Sequence, residues 1–207
     1  KSGLATPLNI SWGWYRSSTG GCNPSGCEGQ KSGAYIFRPN NSWVYYPGPK
    51  VVPKIEVIRG PVVIEVHQTF SDWATHVVRL VTDLPVVEVE WTAGPIPIST
   101  PWLKPAADYG KEVILRYSSG LESGGTYYTD SNCREMVRRD YNARGPSYPA
   151  LQVNEPVAGN YYPVTGMIAI EDPSEDSELV VLTDAAQGGA SLKSGQIELM
   201  VHRRILQ

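Results

Sequence analysis

The chain has 207 residues, a formal net charge of −3, 41% hydrophobic residues and 19% charged residues. That composition argues against long disorder, which needs low hydrophobicity and high net charge, and the acidic balance argues against a general nucleic-acid binder, which is strongly basic. Twenty Gly and seventeen Pro make up about 18% of the chain, against a usual ~12%, so turns should be many and long helices few; no apolar stretch approaches the ~18 residues of a membrane helix.

The chain opens at Lys1 with neither an initiator Met nor a charged-then-apolar leader pattern. Cys22 and Cys27 enclose Asn-Pro-Ser-Gly, a turn-forming insert. A small disulfide loop in an oxidising compartment is the favoured reading, and two free loop thiols the other. Cys133 is left over, either buried and free or paired outside this chain. N-glycosylation sequons stand at Asn9 and Asn40, while Asn23 is excluded by the proline after it.

Short β-prone runs come next at 34–38 and 43–46, each stopped by proline. Residues 54–59 alternate, with Ile55 and Val57 on one face. Val62, Ile64, Val66, Gln68 and Phe70 share a face in the next run. Residues 73–82 return, and Val87, Val89 and Trp91 then oppose Glu88 and Glu90. A period of two marks half-buried antiparallel strands, and their spacing predicts a sandwich. Residues 93–110 break the pattern with four prolines, which cannot donate to a ladder. Strands resume at 112–117, 126–129 and 135–141, and 144–149 reads as a loop. Runs 167–171 and 179–183 flank an acidic turn, and 196–206 is the last strand. A free carboxyl directly after such a run is unusual for a self-contained domain, so a processed piece of a longer chain is expected. No capped helix of three turns is evident. The fold class is therefore all-β, an antiparallel sandwich. Residues 1–92 are its N-terminal part, 93–110 a Pro-rich connection and 111–207 its C-terminal part, or the whole is one continuous sandwich.

Spacing selects no catalytic set. His67 and His76 could meet across a hairpin and hold a metal, but two strand histidines on different faces is the favoured reading. Asp130, Asp140, Asp172 and Asp184 are loop or strand-end carboxylates, and nothing pairs two of them across a glycosidic bond. There is no phosphate-cradling glycine loop and no Gly-x-Ser-x-Gly elbow. Six Trp and twelve Tyr against two Phe favour rings with a polar handle. Such rings suit sugar stacking or the rim of a sandwich core.

Longer stretches are more specific. SGAYIFRPN (32–40), GKEVILRY (110–117), YYTDSNCREM (127–136), EPVAGNYYPV (155–164) and VLTDAAQGGASLKSGQIELMVHRR (181–204) resemble the C-terminal half of lysosomal-type class II α-mannosidases, glycoside hydrolase family 38. EVHQTFSDW and EWTAGPIP add to the match, which spans nearly the whole chain in order. Plant vacuolar or seed enzymes look closest. The first thirty residues match weakly, and Cys133 stands where the family motif carries Gly.

The resemblance implies a retaining exo-α-mannosidase acting on terminal non-reducing mannose of N-glycans, in a vacuole or lysosome or after secretion. It implies that zinc, nucleophile and acid belong to a larger N-terminal catalytic chain, so that no catalytic or metal residue is expected here and this chain alone is expected to be inactive. Substrate-binding residues implied here are Tyr35 of the SGAY motif and one of Arg203 and Arg204. Strand alternation lets only one of these two arginines face the pocket, and the sequence leaves open which. An oligomeric assembly is expected, with no nucleic-acid or membrane partner. The competing readings are a stand-alone mannose-binding lectin and a structural or storage sandwich. The first should lack a large exposed apolar patch, and the second should have Tyr35 buried with its hydroxyl bonded internally.

Overall fold

The computed structural model describes residues 7–23, 26–50, 52–144 and 153–206, without the side chains of 21–28. Seventeen strands run in chain order among these residues. They are β1 (Asn9–Arg16), β2 (Gly21–Asn23), β3 (Gly26–Glu28), β4 (Lys54–Arg59), β5 (Val63–Ser71), β6 (Ala74–Val81), β7 (Val87–Ala93), β8 (Ser99–Thr100) and β9 (Ala107–Asp108). After these come β10 (Lys111–Ser118), β11 (Thr126–Asp130), β12 (Met136–Asp140), β13 (Tyr162–Val164), β14 (Met167–Asp172), β15 (Ser177–Leu182), β16 (Gln187–Ala190) and β17 (Gln196–Arg204). A single 3₁₀ turn, Ala158–Asn160, is the one helical element among the described residues. The architecture is all-β.

A five-stranded sheet, ordered β1-β10-β17-β16-β13, lies at the centre. Its first face carries Ile10, Trp12 and Trp14 of β1 beside Tyr117, Leu115 and Val113 of β10. Two four-stranded sheets cover that face. From β12-β11-β14-β15 come Tyr127, Ile168 and Ile170, and from β4-β5-β6-β7 come Trp73 and Ala74 at the β5–β6 turn. The second face carries Tyr15 and Ile114, against which Phe37, Val44, Val157 and Tyr161 pack from connecting segments. Both faces of the central sheet therefore carry buried apolar side chains, and β1 and β10 are buried almost throughout. Burying one such side chain contributes about 1.5–3 kcal/mol.

The sheet β4–β7 keeps the alternation read from its sequence. Register places Ile55, Val57, Ile64, Val66, Val78 and Val89 on one face and Glu56, Glu65, Arg79, Glu88 and Glu90 on the other. His76 and His67 fall on opposite faces, so they do not share a metal.

Three expectations change. Residues 34–38 are no strand: Gly33 and Ile36 exchange backbone hydrogen bonds of 2.9 and 3.2 Å, closing a two-residue turn over Ala34 and Tyr35. The β-prone residues are held in that turn by polar contacts from below, which override propensity. Residues 43–46 contribute only a single bridge, Trp14 opposite Tyr45. Their aromatic side chains pack instead, as in the Trp14–Tyr45 stack at 4.7 Å. Cys133, expected to be buried if free, is free but exposed. It sits in a turn with φ of 56°, where a glycine would be unstrained.

The insert at 22–27 forms the β2–β3 hairpin, with Cys22 opposite Cys27. The side chains that a disulfide would join lie outside the described residues. So does the loop expected at 144–149, beyond Arg144.

Candidate functional site

The site is built from β10 and β17. The two strands pair antiparallel, with Arg116 opposite Glu198, Leu115 opposite Leu199 and Ile114 opposite Met200. A register shift then intervenes between Val113 and Ile114, so that Val113 faces His202, Glu112 faces Arg203 and Lys111 faces Arg204. A bulge of this kind flips the side-chain parity of the residues beyond it. It turns Arg203 onto the second face of the sheet beside Glu112 and leaves Arg204 on the other.

Glu112 is fully buried, and its carboxylate accepts four groups. Ser17 Oγ donates at 3.0 Å and Ser32 Oγ at shorter range to Oε1; Arg203 Nη2 reaches the same oxygen at 3.1 Å. Arg203 Nε donates to Oε2. The guanidinium continues upward to the turn, where Nη2 donates to the Ile36 carbonyl at 2.9 Å and Nη1 to the Ala34 carbonyl at 3.3 Å. Ser32 Oγ also accepts from the Arg38 amide at 3.1 Å. Thus one buried carboxylate fixes one arginine, and that arginine fixes the turn. Planar guanidinium forks suit this use because their donors are rigidly disposed.

Tyr35 stands at the tip of the turn and is fully exposed. Its backbone is held on both sides while its ring projects freely, presenting a hydroxyl that can both donate and accept. Arg204 is exposed on the opposite face. Of the three residues singled out from the sequence, the fold brings Tyr35 and Arg203 together and sets Arg204 apart. Sequence reasoning missed Glu112, Ser32 and Ser17. Ser32 heads the SGAY stretch and Glu112 lies in GKEVILRY, but a carboxylate in a strand reads as solvated until its partner is known.

A second ion pair continues along the same face. Arg116 Nη2 donates to Glu198 at 2.5 Å, and Tyr15 and Tyr161 hydroxyls donate to the other oxygen at 2.8 and 2.5 Å. Burial first, and then the Glu198 charge, push both phenols well above their usual range, so both stay neutral and donate to Glu198, while Tyr15 Oη also accepts from Arg116 Nη2 at 3.4 Å. Phe37 stacks edge-on to Tyr161 at 4.7 Å, and Arg38 pairs with Glu155 at 2.7 Å. Four of the stretches that carry the family resemblance, 32–40, 110–117, 155–164 and 181–204, therefore meet on this face.

The other candidates resolve as structure. Asp130 accepts from the amides of Cys133, Thr165, Gly166 and Met167 at 2.7–3.2 Å. Asp172 accepts from the Glu122 amide at 2.8 Å and from Ser174, and Asp140 from Thr126 at 2.9 Å. Asp184, Asn9 and Asn40 are exposed. Among the described residues no three His, Cys, Asp or Glu side chains converge as metal ligands. The described residues therefore do not fit a zinc ion.

The Glycosyl hydrolases family 38 C-terminal domain matches residues 3–207. Lysosomal alpha-mannosidase of Homo sapiens is 46% identical over 211 residues, covering 99% of this chain and 18% of that protein. The Cavia porcellus lysosomal alpha-mannosidase is 45% identical over 207 residues (99% of this chain, 19% of that protein). Alpha-mannosidase of Canavalia ensiformis is 42% identical over 212 residues, with 100% and 20% covered. The chain thus spans about a fifth of the length of the curated relatives it matches.

Proposed function

The chain belongs to glycoside hydrolase family 38, matching its C-terminal domain, and from that premise we propose that it is a section of a retaining exo-α-mannosidase. The substrate is terminal non-reducing α-D-mannose of N-glycans, and the compartment is lysosomal, vacuolar or secretory. Zinc, nucleophile and acid belong to a larger catalytic part outside these residues, and the section alone does not turn over substrate.

Its contribution is Tyr35, whose hydroxyl bonds a sugar hydroxyl, with Arg203 as the residue that positions it. The observation that carries this reading is the free, fully exposed Tyr35 ring on a turn clamped from beneath by Arg203 and Glu112. A merely structural tyrosine would be buried and internally bonded. Glu112 is a positioning group and not a nucleophile, because serines and Arg203 occupy both its oxygens. The exposed apolar residues along 55–87 also fit a section of something larger better than a lone lectin.

The test is Tyr35→Phe in the full-length protein, assayed on an aryl α-mannoside and a mannose-terminated glycan. Losing one sugar hydrogen bond of about 1.5 kcal/mol should lower kcat/KM roughly tenfold with the melting temperature unchanged. An unchanged kcat/KM removes Tyr35 from the pocket.

A further inference from the structure

Two sheets in this fold end in unpaired strands that border the same cleft. β7 pairs only with β6 and β15 only with β14 among the described residues. A cavity of about 450 Å³ lies between them, floored by Leu199 and Val201 of β17. Its walls are four consecutive residues of β7, 88–91, and the last two residues of β15, Val181 and Leu182, with Thr183 and Asp184 just beyond it. Consecutive residues point to opposite faces of a strand. A cleft that touches all four residues of β7 runs along the strand edges, where main-chain groups turned away from β6 and β14 have no strand partner among the described residues; beyond β15 the Thr183 N–H is already bonded to the Gly166 carbonyl at 3.0 Å.

Two further observations indicate what is missing. Thr183 Oγ1 and Gln187 Oε1, both in the lining, are buried without a hydrogen-bond partner among the described residues. Gln187 Oε1 can only accept, so the occupant must bring donors. Apolar side chains are uncovered too: Leu182 in the lining is 71% exposed, and Leu80 and Val87, next in sequence to the lining residues Arg79 and Glu88, are 48% and 46% exposed. Native proteins do not leave long apolar strand edges open.

We propose that this cleft receives an extended strand from the part of the same polypeptide that lies outside residues 1–207, joining the sheets β4–β7 and β11–β15 through main-chain hydrogen bonds. The occupant is assigned to the same polypeptide because four fifths of the length of the matched relatives lies outside the region they share with this chain. The lining favours a strand with donor or basic side chains, because Glu88 and Asp184 flank the cleft without an ion-pair partner among the described residues, while Arg79 is already held by Glu65 and Glu90. The inference rests on the reading of the chain as a section of a longer mannosidase.

The test uses the full-length protein with a photo-crosslinking benzophenone amino acid in place of Leu182, which lines the cleft and is 71% exposed within residues 1–207. After irradiation and digestion, mass spectrometry should find position 182 joined to one peptide from outside residues 1–207 of the same molecule. Hydrogen exchange should show the amides of β7 and β15 within tenfold of those of β6 and β14. Crosslinks only within 1–207, only to a second copy, or to nothing would overturn the proposal. So would edge amides that exchange more than a hundredfold faster than the central strands. Aryl-mannoside turnover of the same sample separates the two readings: turnover with open edges retires the strand alone, and a crosslink without turnover retires the mannosidase reading alone.

Discussion

At the scale of the residue, the two neighbouring arginines make the sharpest contrast. Arg203→Ala leaves the buried Glu112 carboxylate without its counter-charge, which should cost about 3–5 kcal/mol of stability and free the Tyr35 turn. Arg204→Ala, at an exposed site, should stay within about 0.5 kcal/mol. Denaturant titration of the full-length variants with parallel kcat/KM checks both, and equal small effects would detach the turn from β17. The resemblance points to both arginines, but the choice between them rests on a bulge, and nothing in the letters His-Arg-Arg announces one. Cys133 offers a second case. Its φ of 56° costs a non-glycine residue about 1 kcal/mol. Cys133→Gly should therefore raise the melting temperature by about 2–4 °C, and a fall would mean that the side chain contributes more than the strain removes. Nearby, burial pulls Asp130 upward, but four backbone amides outweigh it and hold the carboxyl well below the usual range. The folded value lies under the unfolded one, so this stability is complete above about pH 4 and is lost as pH falls through the folded value. Asp130→Asn should cost about 2 kcal/mol at pH 5 and flatten the acid limb of a stability-against-pH curve.

At the scale of the element, the sheets meet through a histidine. His76 of β6 is buried, and its Nδ1 accepts from Trp12 Nε1 of β1 at 3.1 Å. Indole nitrogen only donates, so the proton sits on Nε2, which donates to Gln68 at 2.5 Å. Burial pushes its pKa down to about 4. The unfolded chain binds a proton near pH 6.5 and the folded chain does not, so stability declines as pH falls from about 6.5 to 4, by roughly 3 kcal/mol in full. His76→Gln, which can keep both hydrogen bonds, should shrink that decline; an unaltered slope would place the titrating group elsewhere. Legibility also varies by element. The strands β4–β7 can be read from alternation because one face is wet. β1 cannot, because Trp12, Gly13, Trp14 and Tyr15 are all buried and no period survives. β16 is hidden by its glycines, yet Gly189 is there for close packing: a Cβ would lie 2.7 Å from Val164. The 34–38 run reads as a strand and is a turn because its conformation is set by Arg203, which is remote in sequence.

At the scale of the whole molecule, the central sheet is closed on both faces while β4–β7 is incompletely covered. Residues 1–207 produced alone should bind a hydrophobic dye or self-associate, and should not hydrolyse an aryl mannoside with or without added zinc. Gel filtration and an activity assay test this, and a monodisperse, dye-silent monomer would favour the lectin or storage reading. The all-β class is legible throughout, since glycine, proline and period-two runs all point one way. The site is legible only through long motif stretches, because its parts come from opposite ends of the chain.

That separation bears on synthesis. Glu112 waits for a partner 91 residues later, and Arg203 reaches back 167 residues to Ile36. At ~5–20 residues per second, Glu112 leaves the ribosome about 5–20 s before its counter-ion. The β4–β7 meander joins only sequence neighbours and can form as it emerges, whereas the central sheet, with β1 at one edge and β17 in its middle, cannot close until translation has passed Arg204. A polypeptide interrupted earlier would expose the Trp-rich strand β1 and an unpaired carboxylate to chaperones and proteases, so the same sheet that builds the site also marks unfinished copies for removal.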